Sequence, residues 1–177
     1  MGDYIETRLS DGLHALRAGE GDSLLIAGMG GGLTIRILSE GEPLLSGFRE
    51  LILEPQSDID RVRAWLLEHG FFLAQENFVE EDGKYYPMMR AELIHDFEDR
   101  SGQCKDHPWK TFQYFYGDVE KQRSPEVLRN FLIHEQEKSS TIMERLHENG
   151  REVSDRMKEL QEQMNLIRET LEALDGR

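Results

Sequence analysis

The sequence predicts an α/β fold that is followed by a pair of long α-helices. Short apolar runs alternate with helical segments between residues 23 and 69, which is the pattern of βαβ units in a parallel sheet. A glycine-rich turn, Gly28–Gly32, joins the first apolar run to the helix after it. Apolar residues then recur at alternating spacings of four and three between Val153 and Leu174, which is typical of a coiled coil.

Two strands and a helix are predicted at the start of the chain. Tyr4–Leu9 is rich in residues that favour β-structure, so we expect a short strand there. Leu24–Ala27 is apolar without alternation, which predicts a strand buried on both faces. Leu33–Ser39 follows the glycines and carries its apolar residues on one side, which predicts a helix.

A further strand, a helix and a hairpin are predicted next. Glu50–Glu54 is predicted as a second buried strand, which the following proline ends. Ser57–His69 is predicted as a helix with its serine as the N-cap. Phe71–Val79 and Lys84–Leu93 are predicted as antiparallel strands, because the Glu-Asp-Gly between them suits a hairpin turn.

The rest of the chain is predicted as a connector and two helices. Residues 95–123 are polar with aromatic patches, and Ser-Pro-Glu at 124–126 marks a helix start. Asn149-Gly150 interrupts the helical pattern. This break favours two helices folded into an antiparallel coiled-coil hairpin over one continuous helix that dimerises. The predicted domains are therefore residues 1–94, 95–123 and 124–177.

The acidic composition limits the partners that the protein can have. The 177 residues contain 21 Lys and Arg against 35 Asp and Glu, a net charge of −14. Such a surface argues against a protein that binds polyanions over its whole surface. Residues 1–118 carry −11 and residues 119–177 carry −3. Nucleic acid would therefore have to contact a local patch.

The sequence favours a soluble, cytoplasmic protein without a metal. The single cysteine, Cys104, cannot form an internal disulfide. No segment is long and apolar enough to span a membrane, and residues 1–8 contain no apolar signal core. Cys104, His95 and His107 lack the spacing of a zinc site, so no metal ion is expected.

The glycine-rich turn is the first candidate for a binding site. Glycines between a buried strand and a helix let backbone amides approach a ligand near the positive end of the helix. Gly28 and Gly30 match the start of a dinucleotide fingerprint, but Leu33 replaces its final glycine. A tight turn without a ligand is the alternative. Asp11 follows the first predicted strand and suits either a hydrogen bond to a ligand amine or a helix cap.

Several segments, taken in order, resemble a known family. They are Ile-Glu-Thr-Arg-Leu-Ser-Asp-Gly-Leu at 5–13, Ile-Ala-Gly-Met-Gly-Gly at 26–31, Leu-Ile-Leu-Glu-Pro-Gln at 51–56, Trp-Leu at 65–66, His-Gly-Phe at 69–71 and Glu-Asp-Gly-Lys-Tyr-Tyr at 81–86. Tyr-Gly-Asp at 116–118 and Ser-Pro-Glu-Val-Leu-Arg-Asn-Phe-Leu at 124–132 extend the match. Together they resemble the bacterial tRNA (adenine-N1)-methyltransferase family that modifies position twenty-two of tRNA.

The resemblance implies a class I methyltransferase that binds S-adenosylmethionine and tRNA. The implied fold is a partial Rossmann-like methyltransferase sheet with a C-terminal antiparallel coiled-coil hairpin that helps to hold tRNA. The residues implied to contact the cofactor are Asp11, Gly12, Leu13, Ala27 and Gly28. The residues implied to lie at the catalytic site, near the methyl group and the target base, are Gly28, Met29, Gly30, Pro55 and Gln56.

The start of the chain departs from the family's pattern. The family opens with two βα units that supply the turn around the cofactor, the acid that holds its ribose and a catalytic aspartate, whereas Met1 here stands just before the third strand. A fragment or a truncated gene product is therefore expected, which alone neither binds the cofactor tightly nor methylates tRNA. The alternative is a non-catalytic protein-interaction module. Self-association through the coiled coil or an exposed sheet edge is also expected.

Overall fold

A four-stranded mixed sheet forms the centre of the N-terminal part of the protein. The computed structural model describes residues 4–94, 109–148 and 155–176. Its strands are β1 (Ser23–Met29), β2 (Glu50–Pro55), β3 (Phe71–Glu81) and β4 (Lys84–Leu93), and their order in the sheet is β1-β2-β4-β3. β1 and β2 are parallel, and β4 is antiparallel to both of its neighbours. The predicted combination of parallel strands with an antiparallel hairpin is confirmed.

The described helices alternate with the strands and then continue alone. They are α1 (Gly31–Glu40), α2 (Glu42–Leu45), α3 (Ile59–Glu68), α4 (Thr111–Tyr116), α5 (Pro125–Glu148) and α6 (Asp155–Asp175). A short 3-10 turn, Val119–Lys121, lies between α4 and α5. The hairpin turn between β3 and β4 has positive φ at both Asp82 and Gly83, as a type I′ turn requires.

The main core lies between the sheet and the helices α1 and α3. Leu51 and Leu53 of β2 are fully buried, and they pack in one cluster with Leu38 of α1 and Leu66 of α3. Buried and part-exposed residues alternate along β4, as expected for a strand with one face against a core. The core therefore holds the carboxyl ends of β1 and β2 in a fixed relation to the start of both helices.

β1 differs from its prediction because only one of its faces is partly covered. Ile26 is buried, but Leu25 is 67% exposed and Ala27 is also exposed. In the described sheet, β1 is an edge strand that pairs with β2 only. An apolar run without alternation is buried on both faces only where other elements pack against both faces of the strand. The expectation of a strand buried on both faces is therefore wrong for the part of the protein that the structure describes.

The strand predicted at Tyr4–Leu9 does not form. Tyr4 lies in a 3-10 turn, and the residues up to Ser10 have no regular structure. Ile5 and Leu9 are exposed. A strand is stable only with hydrogen-bonded neighbours, and no strand of the described sheet lies beside this segment. High β-propensity alone is therefore not sufficient to form a strand in this segment.

The two long helices α5 and α6 pack side by side in opposite directions. Arg129, near the start of α5, forms an ion pair with Asp175 at the end of α6. Leu160, Ile167 and Leu174, which recur every seven residues along the chain, are buried. The apolar spacing of this region therefore corresponds to a buried stripe. The supercoiling that defines a coiled coil stays a prediction, and residues 149–154 lie outside the described part of the chain.

Candidate active site

The glycine loop after β1 lies beside the end of β2. Met29 pairs with Pro55 across the parallel strands, and the backbone N–H of Gln56 donates to the Met29 carbonyl at 2.8 Å. A bulge occurs at Gly28, where φ is +73°, a conformation that favours glycine. The structure thus brings together the residues that the resemblance implied as catalytic: Gly28, Met29, Gly30, Pro55 and Gln56.

A carboxylate that is not among the predicted site residues, Glu54, links the loop to β2. Glu54 is only 8% exposed. Its Oε2 accepts a hydrogen bond from the Gly28 backbone N–H at 2.8 Å, and its Oε1 accepts one from the Gln56 side-chain amide. A buried carboxylate needs such donors. The sequence feature that could have identified Glu54 as a site residue is an acidic side chain at the end of an otherwise apolar strand.

Ser57 contacts the glycine loop and does not cap α3, contrary to the prediction. α3 begins at Ile59, and the preceding residue, Asp58, has φ of +47° and no capping side-chain bond. Ser57 instead accepts from the backbone N–H of Gly31, through its carbonyl at 3.0 Å and its hydroxyl at 3.3 Å. The starts of α1 and α3 are therefore held against each other.

The segment implied to contact the cofactor lies against α1. The Asp11 carboxylate accepts hydrogen bonds from the Arg36 guanidinium at 3.0 and 3.2 Å, which hold the pKa of Asp11 below its usual value. Gly12 has φ of +55°, and a β-carbon at that position would lie 3.3 Å from Ile37. These contacts join Asp11 and Gly12 to α1, and Leu13 lies against Gly41, which follows that helix. The described hydrogen bonds do not connect them to the glycine loop.

The carboxyl end of β1 has room for a cofactor on its open side. Ala27, Gly28 and Met29 are all exposed, and a β-carbon added at Gly28 would meet no atom within 4 Å. The backbone of this loop can therefore approach a ligand closely. The Asp11 carboxylate, which is exposed, would have to share its oxygens between a ligand and Arg36.

A cavity opens between the end of β2 and the helices α5 and α6. It measures about 330 Å³, near the lower limit of small-molecule sites. The residues that line it are Gln56, Ile59, Asp60, Phe78, Tyr85, Pro87, Phe115, Tyr116, Phe131, Glu135 and Gln163. Of the residues predicted for the site, Gln56 is the one that reaches this cavity.

Aromatic rings form one wall of the cavity. The centroid of the Phe131 ring lies 5.2 Å from that of Phe78, 5.3 Å from Tyr85 and 6.3 Å from Tyr116. Burial, followed by the negative charge of Glu135, raises the pKa of Tyr116 to about 12. Its phenol is therefore neutral near pH 7. These rings come from the β3–β4 hairpin, the short helix α4 and α5. Their positions in the sequence therefore did not indicate that they lie together.

A buried ion pair positions α4 at the cavity. The Arg63 Nε lies 2.7 Å from the Glu76 Oε1, and both side chains are almost fully buried. Arg63 Nη1 also donates to the carbonyls of Tyr114 and Phe115 at 2.9 Å each. The second oxygen of Glu76 accepts from the backbone N–H of Asp118 at 2.6 Å. The pair thus joins α3, β3 and the connector that carries two aromatic side chains of the cavity.

The described residues contain neither a metal-binding cluster nor a membrane-spanning helix. Residues 4–94, 109–148 and 155–176 contain no group of three or more His, Cys, Asp or Glu that could hold a metal ion. None of the helices in these ranges is long and apolar enough to cross a membrane. Cys104, His95 and His107 lie outside the described residues.

The fold and the loop define a Rossmann-like α/β protein whose candidate site lies at the carboxyl ends of parallel strands. The chain belongs to the TrmK family, tRNA (adenine(22)-N(1))-methyltransferase, whose family model matches residues 1–169. The resemblance drawn from the motifs is thereby confirmed.

Individual relatives support this assignment. A Bacillus subtilis tRNA (adenine(22)-N(1))-methyltransferase is 40% identical over 92 residues, which are 52% of this chain and 39% of the relative. The crystal structure of B. subtilis TrmK is 29% identical, with a TM-score of 0.69 over 92% of this chain and 68% of that one. Streptococcus pneumoniae Sp1610 in complex with S-adenosyl-L-methionine is 28% identical, with a TM-score of 0.72 over 93% and 67%. The chain thus matches well under half the length of the curated relative.

Proposed function

We propose that the protein transfers a methyl group from S-adenosylmethionine to N1 of adenine 22 in tRNA, in the cytoplasm. The observation that carries this proposal is the family match over residues 1–169, which includes both the sheet and the helical pair. The solved relative that binds S-adenosyl-L-methionine supports the choice of cofactor. The helical pair, whose charge is closer to balance than that of the sheet region, is proposed to contact tRNA.

We assign the implied residues to two parts of this site. Asp11, Gly12, Leu13, Ala27 and Gly28 would hold S-adenosylmethionine, which supplies an activated methyl group when bound. Gly28, Met29, Gly30, Pro55 and Gln56 would face the reacting atoms. Support comes from the exposed backbone at Gly28 and the hydrogen bonds that join the loop to the end of β2.

The chemistry requires orientation more than it requires an acid or a base. The N1 lone pair of adenine forms a bond to the methyl carbon, and the bond from that carbon to sulfur breaks. Alignment of the two reacting atoms is the main contribution that a protein makes to such a transfer. Positive charge moves from sulfur to the adenine ring, so nearby carboxylates such as Glu54 stabilise the product side of the reaction.

The function is tested in cells from which the gene has been deleted. We expect 1-methyladenosine at position 22 of tRNA to disappear and to return when the gene is restored. The modification is measured by mass spectrometry of digested tRNA. Unchanged methylation at that position would contradict the proposed function.

The 177 residues match 39% of the length of the curated relative, and we propose that these residues by themselves are inactive. The units that hold the cofactor in the family have no counterpart among the sequence motifs of this chain, so we expect no tight cofactor binding and no turnover on tRNA. Isothermal titration with S-adenosylmethionine and a tRNA methylation assay measure both. Binding together with turnover by this chain would contradict the expectation.

The second candidate function is a non-catalytic one, in which the protein serves as a protein-interaction module. Leu25 and Leu33 are 67% and 41% exposed, and the edge strand β1 has unpaired backbone groups in the described sheet. We propose self-association through this edge. Light scattering should detect oligomers of the unmodified protein. Leu25→Lys should dissociate them into monomers, whereas the control Lys84→Ala, at the hairpin turn, should leave them intact. A monomer at every concentration would contradict the association.

A further inference from the structure

We propose that the cavity between β2 and the helical pair binds the target base and selects a ring that carries an exocyclic amine. Gln56 is the specificity-determining residue, and Glu54 is the positioning residue that orients it. The inference rests on the proposed function and adds to it the residues that recognise the base.

The shape and the walls of the cavity suit a flat aromatic ring. Its volume of about 330 Å³ is enough for a nucleobase with part of its ribose. Phe115 lines the cavity and is nevertheless 43% exposed, and Tyr85, which also lines it, is half-buried. Bases stack on aromatic side chains with a gain of about 1–3 kcal/mol each. An exposed aromatic ring at a cavity wall is therefore a natural surface for a base.

The charge of the cavity excludes phosphate as its ligand. Among the described lining residues there is no Lys, Arg or His, whereas Asp60 and Glu135 are carboxylates. Carboxylates accept hydrogen bonds and repel anions. The ligand group that meets them must be a donor. An exocyclic amine of a base satisfies this condition, and a phosphate does not.

The orientation of the Gln56 amide strengthens this selection. Its Nε2 donates to the Glu54 Oε1, and an amide nitrogen cannot accept a hydrogen bond in return. Glu54 is itself held by the Gly28 backbone N–H at 2.8 Å. The amide of Gln56 is therefore turned so that its carbonyl oxygen, together with the second N–H of its amide nitrogen, is left for a ligand. That oxygen accepts from the 6-amino group of adenine and opposes the 6-oxygen of guanine.

The test is a nuclear magnetic resonance titration of the 177-residue chain with adenosine and with purine riboside, which lacks only the 6-amino group. S-adenosylmethionine and its product are left out, because both carry the adenine ring that the cavity is proposed to select. We expect adenosine to bind about fivefold more tightly, as one net hydrogen bond predicts, with shifts of the Tyr85 and Tyr116 ring signals. Gln56→Ala should bring the two affinities together and leave that of purine riboside unchanged. Glu54→Gln should have the same effect by releasing the amide.

Stacking is tested separately from amine recognition. Phe115→Ala should weaken both nucleosides about fivefold or more. Ile133→Ala is its matched control, because Ile133 is 41% exposed and does not line the cavity. Gln161→Ala, on the exposed side of α6, is the control for Gln56→Ala. Both controls should leave both affinities unchanged.

The outcomes separate this inference from the proposed function. No nucleoside binding, equal binding of the two nucleosides, or selection that persists in Gln56→Ala would overturn the inference. Each of these results can occur while deletion of the gene still abolishes methylation at position 22. Conversely, selection that depends on Gln56, in a protein whose deletion leaves tRNA methylation unchanged, would contradict the proposed function and support the pocket.

Discussion

Single residues at the glycine loop have roles that differ between neighbours. Gly31 and Gly32 are adjacent in the sequence and both lie in α1. A β-carbon at Gly31 would collide with the Ser57 carbonyl and lie 2.8 Å from the Asp58 carbonyl oxygen, whereas a β-carbon at Gly32 would meet no atom within 4 Å. The first glycine is needed for close approach of two backbones, and the second is not.

We therefore expect opposite effects of alanine at these two positions. Gly31→Ala should lower the free energy of unfolding by about 2 kcal/mol, because overpacking forces the starts of α1 and α3 apart. Gly32→Ala should leave it unchanged or raise it by about 0.5–1 kcal/mol, since alanine reduces the entropy of the unfolded chain. Urea unfolding of both variants measures the difference. Equal destabilisation would disprove the close approach.

At the level of elements, the Arg63–Glu76 pair connects three parts of the chain. It bonds α3 to β3, and both partners also bond the backbone around α4. Gly117, next to Asp118, has φ of +87°, and a β-carbon there would collide with the Glu76 carboxylate. The connector can therefore lie against β3 only because a glycine stands at this point.

Removal of one partner from this pair should be costly. We expect Glu76→Gln to lower the free energy of unfolding by about 3–5 kcal/mol, because Arg63 would remain charged and buried without its partner. Glu159→Gln is the control: it breaks an exposed ion pair with Arg156 and should change stability by less than about 1 kcal/mol. Thermal melts by circular dichroism compare the two. A similar small effect of both would contradict a structural role for the buried pair.

At the scale of the whole molecule, the sheet and the helical pair share a core. Phe78 of β3 packs in a cluster with Leu132 of α5 and Ile167 of α6, while Phe71 and Leu73 of the same strand belong to the main core. β3 thus runs through both clusters. Because one strand contributes to both clusters, we expect the loss of one cluster to destabilise the other, as in a small cooperative domain.

We expect the two parts to unfold in one transition. The protein has two tryptophans, Trp65 and Trp109, and both contact the main core. Ile167→Ala, far from them in the sequence, should lower the free energy of unfolding by about 2–5 kcal/mol. Tryptophan fluorescence and far-ultraviolet circular dichroism should shift by the same amount in urea. A fluorescence transition that does not move would show that the helical pair unfolds independently.

Local sequence patterns determined a large part of this structure. The hairpin strands, the glycine turn, the parallel pair and the two long helices follow from apolar periodicity, turn residues and a helix-start signal, which act over a few residues. The ordered motifs also identified the family. The same local rules were wrong for Tyr4–Leu9 and for the burial of β1, because both depend on neighbours that a propensity does not supply.

The tertiary structure alone decided how the candidate site is built. Gln56 was found by resemblance, but its orientation depends on Glu54, which is held by the amide of Gly28, 26 residues before Glu54 in the chain. Likewise Phe131, Tyr85 and Tyr116 meet only because α5 packs on the hairpin. Hydrogen bonds and ring contacts between distant segments leave no periodic trace in a sequence. The sequence by itself therefore determined which elements form and which family they belong to, and the packing of those elements determined which side chains face one another.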